Sequence, residues 1–166
     1  MPSTYEPIAT QTLGSVATDI TFSSIASSWT DLRISLTGTL VSLNQPFLRF
    51  NGDTATNYSS TNVSGNGTSA ASSRATGANR MYFALPANTS DTIPSFYAID
   101  IFSYAGSTNK TCLINCSLDE NGSGFTLSSV GLWRSTSAIT SVTLSSNATN
   151  NWKAGTTATL YGIKNA

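Results

Sequence analysis

From Leu32 to Leu40 the chain alternates apolar and polar side chains, with Leu32, Ile34, Leu36 and Leu40 on one side and Arg33, Ser35, Thr37 and Thr39 on the other. A period of two sends successive side chains to opposite faces of a strand, so this segment reads as β-structure with one face buried and one wet. Shorter runs of the same kind predict strands near 5–9, 18–22, 31–40, 46–50, 56–61, 80–85, 95–104, 110–118, 124–134, 138–145 and 156–163. Clusters of Gly, Asn, Ser and Pro divide them and supply the turns. No stretch carries the 3.6-residue periodicity of an amphipathic helix. Eight to eleven short strands without helices predict an all-β fold, an antiparallel β-sandwich of jelly-roll type.

Three segments depart from the alternation. Residues 51–79 are almost wholly Asn, Ser, Thr, Gly and Ala, too polar to bury, and predict a long surface excursion with a short strand around Tyr58. In SFYAIDIFSY, Tyr97, Ile99 and Ile101 line one face while Phe96, Phe102 and Tyr104 line the other beside Asp100. A strand apolar on both faces is either central in the sandwich or covered by a neighbouring subunit. Residues 1–12 hold Pro2 and Pro7 and few apolar side chains, which predicts an extended N-terminal arm, loose or reaching onto an adjacent subunit. Residues 13–166 then form one β-sandwich domain, with no linker and no fixed-period repeat.

Composition narrows the chemistry. The chain has no histidine, eight basic and eight acidic residues, and nearly a third Ser plus Thr. Neutral-pH proton transfer and metal ligation lean on His and on charged groups with close neighbours, and both are scarce here. Zero net charge gives no field to draw in nucleic acid or an anionic membrane. A charged fraction of 10% also leaves little repulsion between copies, so the surface tolerates dense packing. No basic-then-apolar leader opens the chain, which predicts synthesis in a cytoplasm with the mature protein starting near Met1. Sequons at Asn57, Asn62, Asn66, Asn88, Asn109, Asn115, Asn121 and Asn147 follow from the Asn, Ser and Thr content.

No catalytic or metal motif emerges. Without His, a nucleophilic Ser would need Lys or a carboxylate as base, and neither G-x-S-x-G nor S-x-x-K is present. Asp119 and Glu120 are adjacent and point apart on an extended chain, so LDENGSG reads as a hairpin turn. Calcium is the one metal that Asp and Asn oxygens would serve, at Asn51–Asp53 or at LDENG, but neither has a full loop of carboxylates and each reads as a turn. Cys112 and Cys116 would share a strand face roughly 13 Å apart, beyond disulfide reach, and read as small buried apolar residues. The expectation is a non-enzymatic protein without a cofactor. Candidate interface or ligand contacts are Tyr5 in the arm, Arg49 and Arg134 in strands, Asn51 and Asp53 in the NGD turn, Tyr58 in the excursion, and Trp152 in the loop NNWKAG. Among the aromatic residues Trp29, Trp133, Trp152 and Tyr161, Trp133 reads as core and Trp152 as the exposed contact.

Three stretches, ITFSSIASSWTDLRI, LRFNGDTATNYSST, and VGLWRSTSAITSVTL followed by AGTTATLYGIK, cover much of the chain. Together they resemble a family of small virion structural proteins of tailed bacteriophages, common in phages of cyanobacteria and other aquatic bacteria. The resemblance implies a place in the virion and no reaction. It implies a capsid cement or decoration protein, a jelly roll clamping capsomers as a homotrimer, with the major capsid protein and sister subunits as partners. The alternative it leaves is a tail-fibre or host-adhesion module that binds cell-surface polysaccharide.

Overall fold

The computed structural model describes residues 5–85, 89–146 and 151–164. Its strands are β1 (Tyr5–Thr12), β2 (Asp19–Phe22), β3 (Asp31–Gly38), β4 (Phe47–Phe50), β5 (Tyr58–Gly65), β6 (Ala70–Ala78), β7 (Met81–Tyr82), β8 (Ser95–Phe102), β9 (Lys110–Leu118), β10 (Phe125–Trp133), β11 (Val142–Ser145) and β12 (Thr157–Ile163). They form an eight-stranded sheet in the order β1-β12-β3-β8-β9-β10-β5-β6 and a four-stranded sheet in the order β2-β11-β4-β7. All neighbours run antiparallel.

Eight of the strands account for the basic architecture. Setting aside β5, β6, β9 and β10 leaves β1-β12-β3-β8 facing β2-β11-β4-β7, with the chain passing back and forth between the two sheets as in a jelly roll. The hairpins β5–β6 and β9–β10 are additions to that frame. Because β10 pairs with β5, they join into a four-stranded extension of the first sheet.

Alternation sets which side chains meet between the sheets. Leu32, Ile34 and Leu36 of β3 are fully buried while Arg33, Ser35 and Thr37 point outward. Each fully buried aliphatic side chain contributes about 1.5–3 kcal/mol. From the small sheet Ile20, Phe22, Leu48, Phe50, Val142 and Leu144 face them. The aromatic residues group at two places: Phe50 lies 5.4 Å from Trp133, which stacks on Tyr58, and Phe83 and Tyr97 both pack on Trp152. Two glycines let these layers close. A Cβ on Gly131 would lie 2.2 Å from the Met81 sulfur, and one on Gly162 would lie 2.1 Å from the Trp29 ring.

Several expectations are corrected. Residues 5–12 are β1, an edge strand paired along its length with β12, and not a free arm; residues 1–4 lie outside the described residues. The excursion at 51–79 is an NGD turn followed by the β5–β6 hairpin, so Tyr58 starts a strand as expected and β6 is an additional one. The described residues form twelve strands, and the segments read as 80–85 and 138–145 shrink to Met81–Tyr82 and Val142–Ser145. The 95–104 segment is indeed a central strand, β8 between β3 and β9, yet Phe96 and Phe102 stay exposed on its outer face. Tyr104 lies beyond it, buried, with its hydroxyl donating to the Ala26 carbonyl and accepting from the Trp29 amide. Cys112 and Cys116 are both buried, in the role expected. The sequons at Asn88 and Asn147 fall outside the described residues.

Candidate functional site

The broadest surface of the molecule is the outer face of the eight-stranded sheet. Register fixes its rows. One runs Pro7, Tyr161, Arg33, Asp100, Leu113, Val130, Thr61, Arg74, and another runs Thr12, Thr157, Thr37, Phe96, Ser117, Thr126. Five of the six positions in the second row are Ser or Thr, and hydroxyls pair across strands, as Thr10 with Thr159 at 3.0 Å and Thr12 with Thr157 at 2.9 Å. Five large apolar or aromatic side chains stand exposed among them: Tyr5, Val63, Phe96, Phe102 and Val130. Tyr5 stacks on Tyr161 with ring centroids 4.7 Å apart. Arg33 and Asp100 form an ion pair at 3.4 Å near the middle of the face. Burial and the neighbouring Asp31 hold the Asp100 carboxyl above its ordinary range despite Arg33.

The β5–β6 hairpin widens this face more than it enlarges the core, whereas β9 and β10 line the core with Cys112, Ile114, Cys116, Leu127 and Trp133. β6 is exposed at every position but its last, and β5 buries only Tyr58 and Ser64. In the row that crosses β10, β5 and β6 on the inner side, hydrogen bonding replaces apolar packing: the Ser129 hydroxyl donates to Asn62 Oδ1, and Asn62 Nδ2 donates to Ser73 Oγ at 3.2 Å. Seven strand spacings and about seven residues of length give a face of roughly 800 Å², the size of one side of a standard protein–protein interface.

An open groove of about 590 Å³ lies where the hairpin tips meet β8. Phe96, Phe125 and Leu118 give it apolar walls, Asp119 and Asn66 add polar groups, and Gly65, Gly67, Gly122 and Gly124 keep it shallow. Asn121 and Gly122 both have positive φ, and Asp119 Oδ1 accepts the Gly122 amide at 3.1 Å, so LDENGSG forms the turn expected of it.

The sequence candidates divide by where their polar atoms go. Tyr58 and Trp152 are fully buried and are corrected from contact residues to core. Trp152 was read as exposed from its polar loop, but its backbone bridges Ala17 and Leu40 and so draws the ring inward. Asn51 and Gly52 have φ of 52° and 66°, and the Asp53 amide closes the turn on the Phe50 carbonyl at 2.9 Å, the type I′ geometry that Asn-Gly favours. Asn51 Oδ1 then accepts from the amides of Thr140 and Ser141, and its Nδ2 donates to the Ala138 carbonyl. Asp53 accepts from the Trp133 indole at 2.7 Å, Asn57 Nδ2 at 2.9 Å and the Ala55 amide at 2.8 Å. Burial would raise its pKa, but those hydrogen bonds outweigh it and hold the carboxyl below its ordinary range. Asn51 and Asp53 are therefore internal brackets. Arg134 donates to the Thr56 carbonyl and Arg49, through Nε, to the Asn79 carbonyl, so both reach backbone of their own chain. Of the seven, Tyr5 alone sits on the broad outer face.

Lys110 was not anticipated. Its ammonium is buried and donates to the carbonyls of Gly106, at 2.7 Å, and Thr108, and burial lowers its pKa. A cation held by carbonyls leaves no mark in sequence beyond one Lys starting an apolar strand. Among the described residues no group of three or more His, Cys, Asp or Glu is placed to hold a metal, and no helix is long and apolar enough to cross a membrane. Comparison with protein-family models, with curated proteins and with solved structures finds no match to this chain.

Proposed function

We propose that the protein is a non-enzymatic structural component of a tailed-bacteriophage virion, a cement or decoration protein that lies on the outer capsid shell and clamps neighbouring capsomers. The observation that carries the reading is the wide outer face of the eight-stranded sheet, with its exposed Phe96, Phe102 and Val130, its Ser and Thr rows and its central Arg33–Asp100 pair. The β5–β6 hairpin extends it while adding little core, which is expected of residues retained for contact and not for folding. Low charge suits repeated packing against like neighbours. Many copies, each burying a modest patch on a fixed lattice, hold strongly through avidity, and cyclic symmetry, here a homotrimer, lets one surface serve every neighbour. The family resemblance of the sequence blocks supports the same placement.

Quantitative mass spectrometry of purified virions tests it. Hundreds of copies per particle are expected of a shell protein, and a few dozen or fewer would move it to the tail. The adhesion alternative loses Trp152 to the core, but the groove of Phe96, Phe125 and Asp119 offers apolar walls and polar groups that suit a sugar. Saturable binding of host polysaccharide, abolished by Phe125→Ala, would favour that reading.

A further inference from the structure

On the outer face of the four-stranded sheet, two arginines are held side by side over one aromatic ring. Phe47 pairs with Tyr82 and Leu48 with Met81, so the same register continued by one residue sets Arg49 opposite Arg80. Like charges directly opposite on adjacent strands repel. Here they are nonetheless fixed in place: the guanidinium carbon of Arg49 lies 5.0 Å from the Phe47 centroid and that of Arg80 lies 4.5 Å from it, so the two are within about 10 Å of each other. Asn79 anchors both, its carbonyl accepting Arg49 Nε at 3.1 Å and its Oδ1 accepting Arg80 Nε at 2.9 Å.

Each Nε is thus committed, while among the described residues the Nη groups of both arginines lack a carboxylate or hydrogen-bond partner. The carboxylate on this face, Asp19, stands two strands from Phe47 in the row Asp19, Ser145, Phe47, and accepts the Ser145 hydroxyl. Asp53 is engaged by Trp133, Asn57 and Ala55. We infer that Arg49 and Arg80 form an oxyanion clamp, with Phe47 as its floor and Asn79 as its hinge pin. Guanidinium groups present paired donors that match carboxylate and tetrahedral oxyanions, and stacking with anchored Nε atoms removes most of the rotamer freedom that binding would otherwise cost. An anion between the two also relieves their repulsion. The inference stands on this geometry and does not depend on the shell reading.

The test is a titration of the full ¹⁵N-labelled chain with sodium acetate and, separately, sodium sulfate, each at constant ionic strength. Saturable shifts confined to the Arg49 and Arg80 Nε–H and the Asn79 side-chain amide are expected. Tighter acetate binding identifies a carboxylate ligand, and tighter sulfate binding a tetrahedral one. Arg49→Met with Arg80→Met keeps apolar stems over Phe47 and is expected to abolish saturation, while each single substitution weakens binding at least tenfold. Linear drift with both anions in the unmodified protein would overturn the clamp, whatever the variants do; so would saturation that survives in a folded double variant.

Discussion

Asp53→Ala removes one carboxylate on which three donors from two parts of the chain converge. The Trp133 indole is the costly one: the residue is 2% exposed, and its N–H loses its acceptor where water has little access. An unsatisfied buried donor costs about 1–3 kcal/mol. The Ala55 amide and Asn57 side chain are more open to solvent, and their losses add about 0.5 kcal/mol each. Asp53→Ala should therefore destabilise by about 2–4 kcal/mol. Asp53→Asn keeps one oxygen. Since Trp133 and Asn57 share Oδ2 while Ala55 uses Oδ1, the amide turns its oxygen to the first pair and gives up the exposed Ala55 bond, at a cost of about 1–2 kcal/mol.

Urea unfolding followed by far-UV circular dichroism measures both, as a lower midpoint at constant slope. Trp133→Phe removes the indole donor, so in that background the cost of Asp53→Ala should shrink by about 1–3 kcal/mol. The pH dependence has a definite sign. The folded carboxyl titrates below the ordinary value of about 3.9, so its contribution is fully present above that pH and is lost as pH falls through the folded value. Asp53→Asn should lack that acid-dependent part. The argument fails if Asp53→Ala lies within about 0.5 kcal/mol of the unmodified protein, the usual range of surface substitutions, or if the cycle shows no coupling to Trp133.

Three further outcomes follow from burial and from the outer face. Tyr58 is pushed up to about 12 by burial, and burial raises Tyr97 further, so between pH of about 10 and those values the unfolded chain binds fewer protons. Stability should fall with rising pH there, and two of the six tyrosines should ionise only as the protein unfolds, read by tyrosinate absorbance. Trp152→Ala should cost about 3–5 kcal/mol in denaturant unfolding, as expected of a fully buried core aromatic. Phe96→Asp with Val130→Asp, both exposed, should leave the fold intact by circular dichroism but sharply reduce occupancy on assembled heads; undiminished occupancy would take this face out of the shell contact.

The β3 alternation was legible because one face is core and the other solvent, so each residue type reports its side. The same logic recovered β8, β9, β10 and β12, which all line the core. β6 was invisible because it buries neither face: AASSRATGA has no apolar period to read, and only pairing with β5 makes it a strand. Burial of Trp152 was hidden for a related reason. Local polarity at NNWKAG predicts a loop, which it is, but not the bridges to Ala17 and Leu40 that turn the ring inward. The NGD turn was legible as a turn through its Asn-Gly pair, whereas its partners, Trp133 and residues 138–141, are 80 to 90 positions away and leave no local signal. The arginine pair is a product of register, since Arg49 and Arg80 meet only because β4 and β7 are neighbours.

These long-range contacts also tie the three sequence blocks to one another. Trp29 in the first lies on Gly162 in the last, Asp53 in the second holds Trp133 in the third, and Asn51 ties down Thr140 and Ser141. Each block thus supplies half of a bracket that closes one end or edge of the sandwich. The brackets lie off the broad face, so they fix the frame without spending that face's side chains. β6 and the exposed half of β5 have no comparable tie to the core, so their substitution should move surface chemistry with small effects on stability. Within the proposed role, partner specificity should therefore vary with Val63, Arg74 and Val130 on the extension, while changes at Asn51, Asp53 or Trp133 register first as loss of fold.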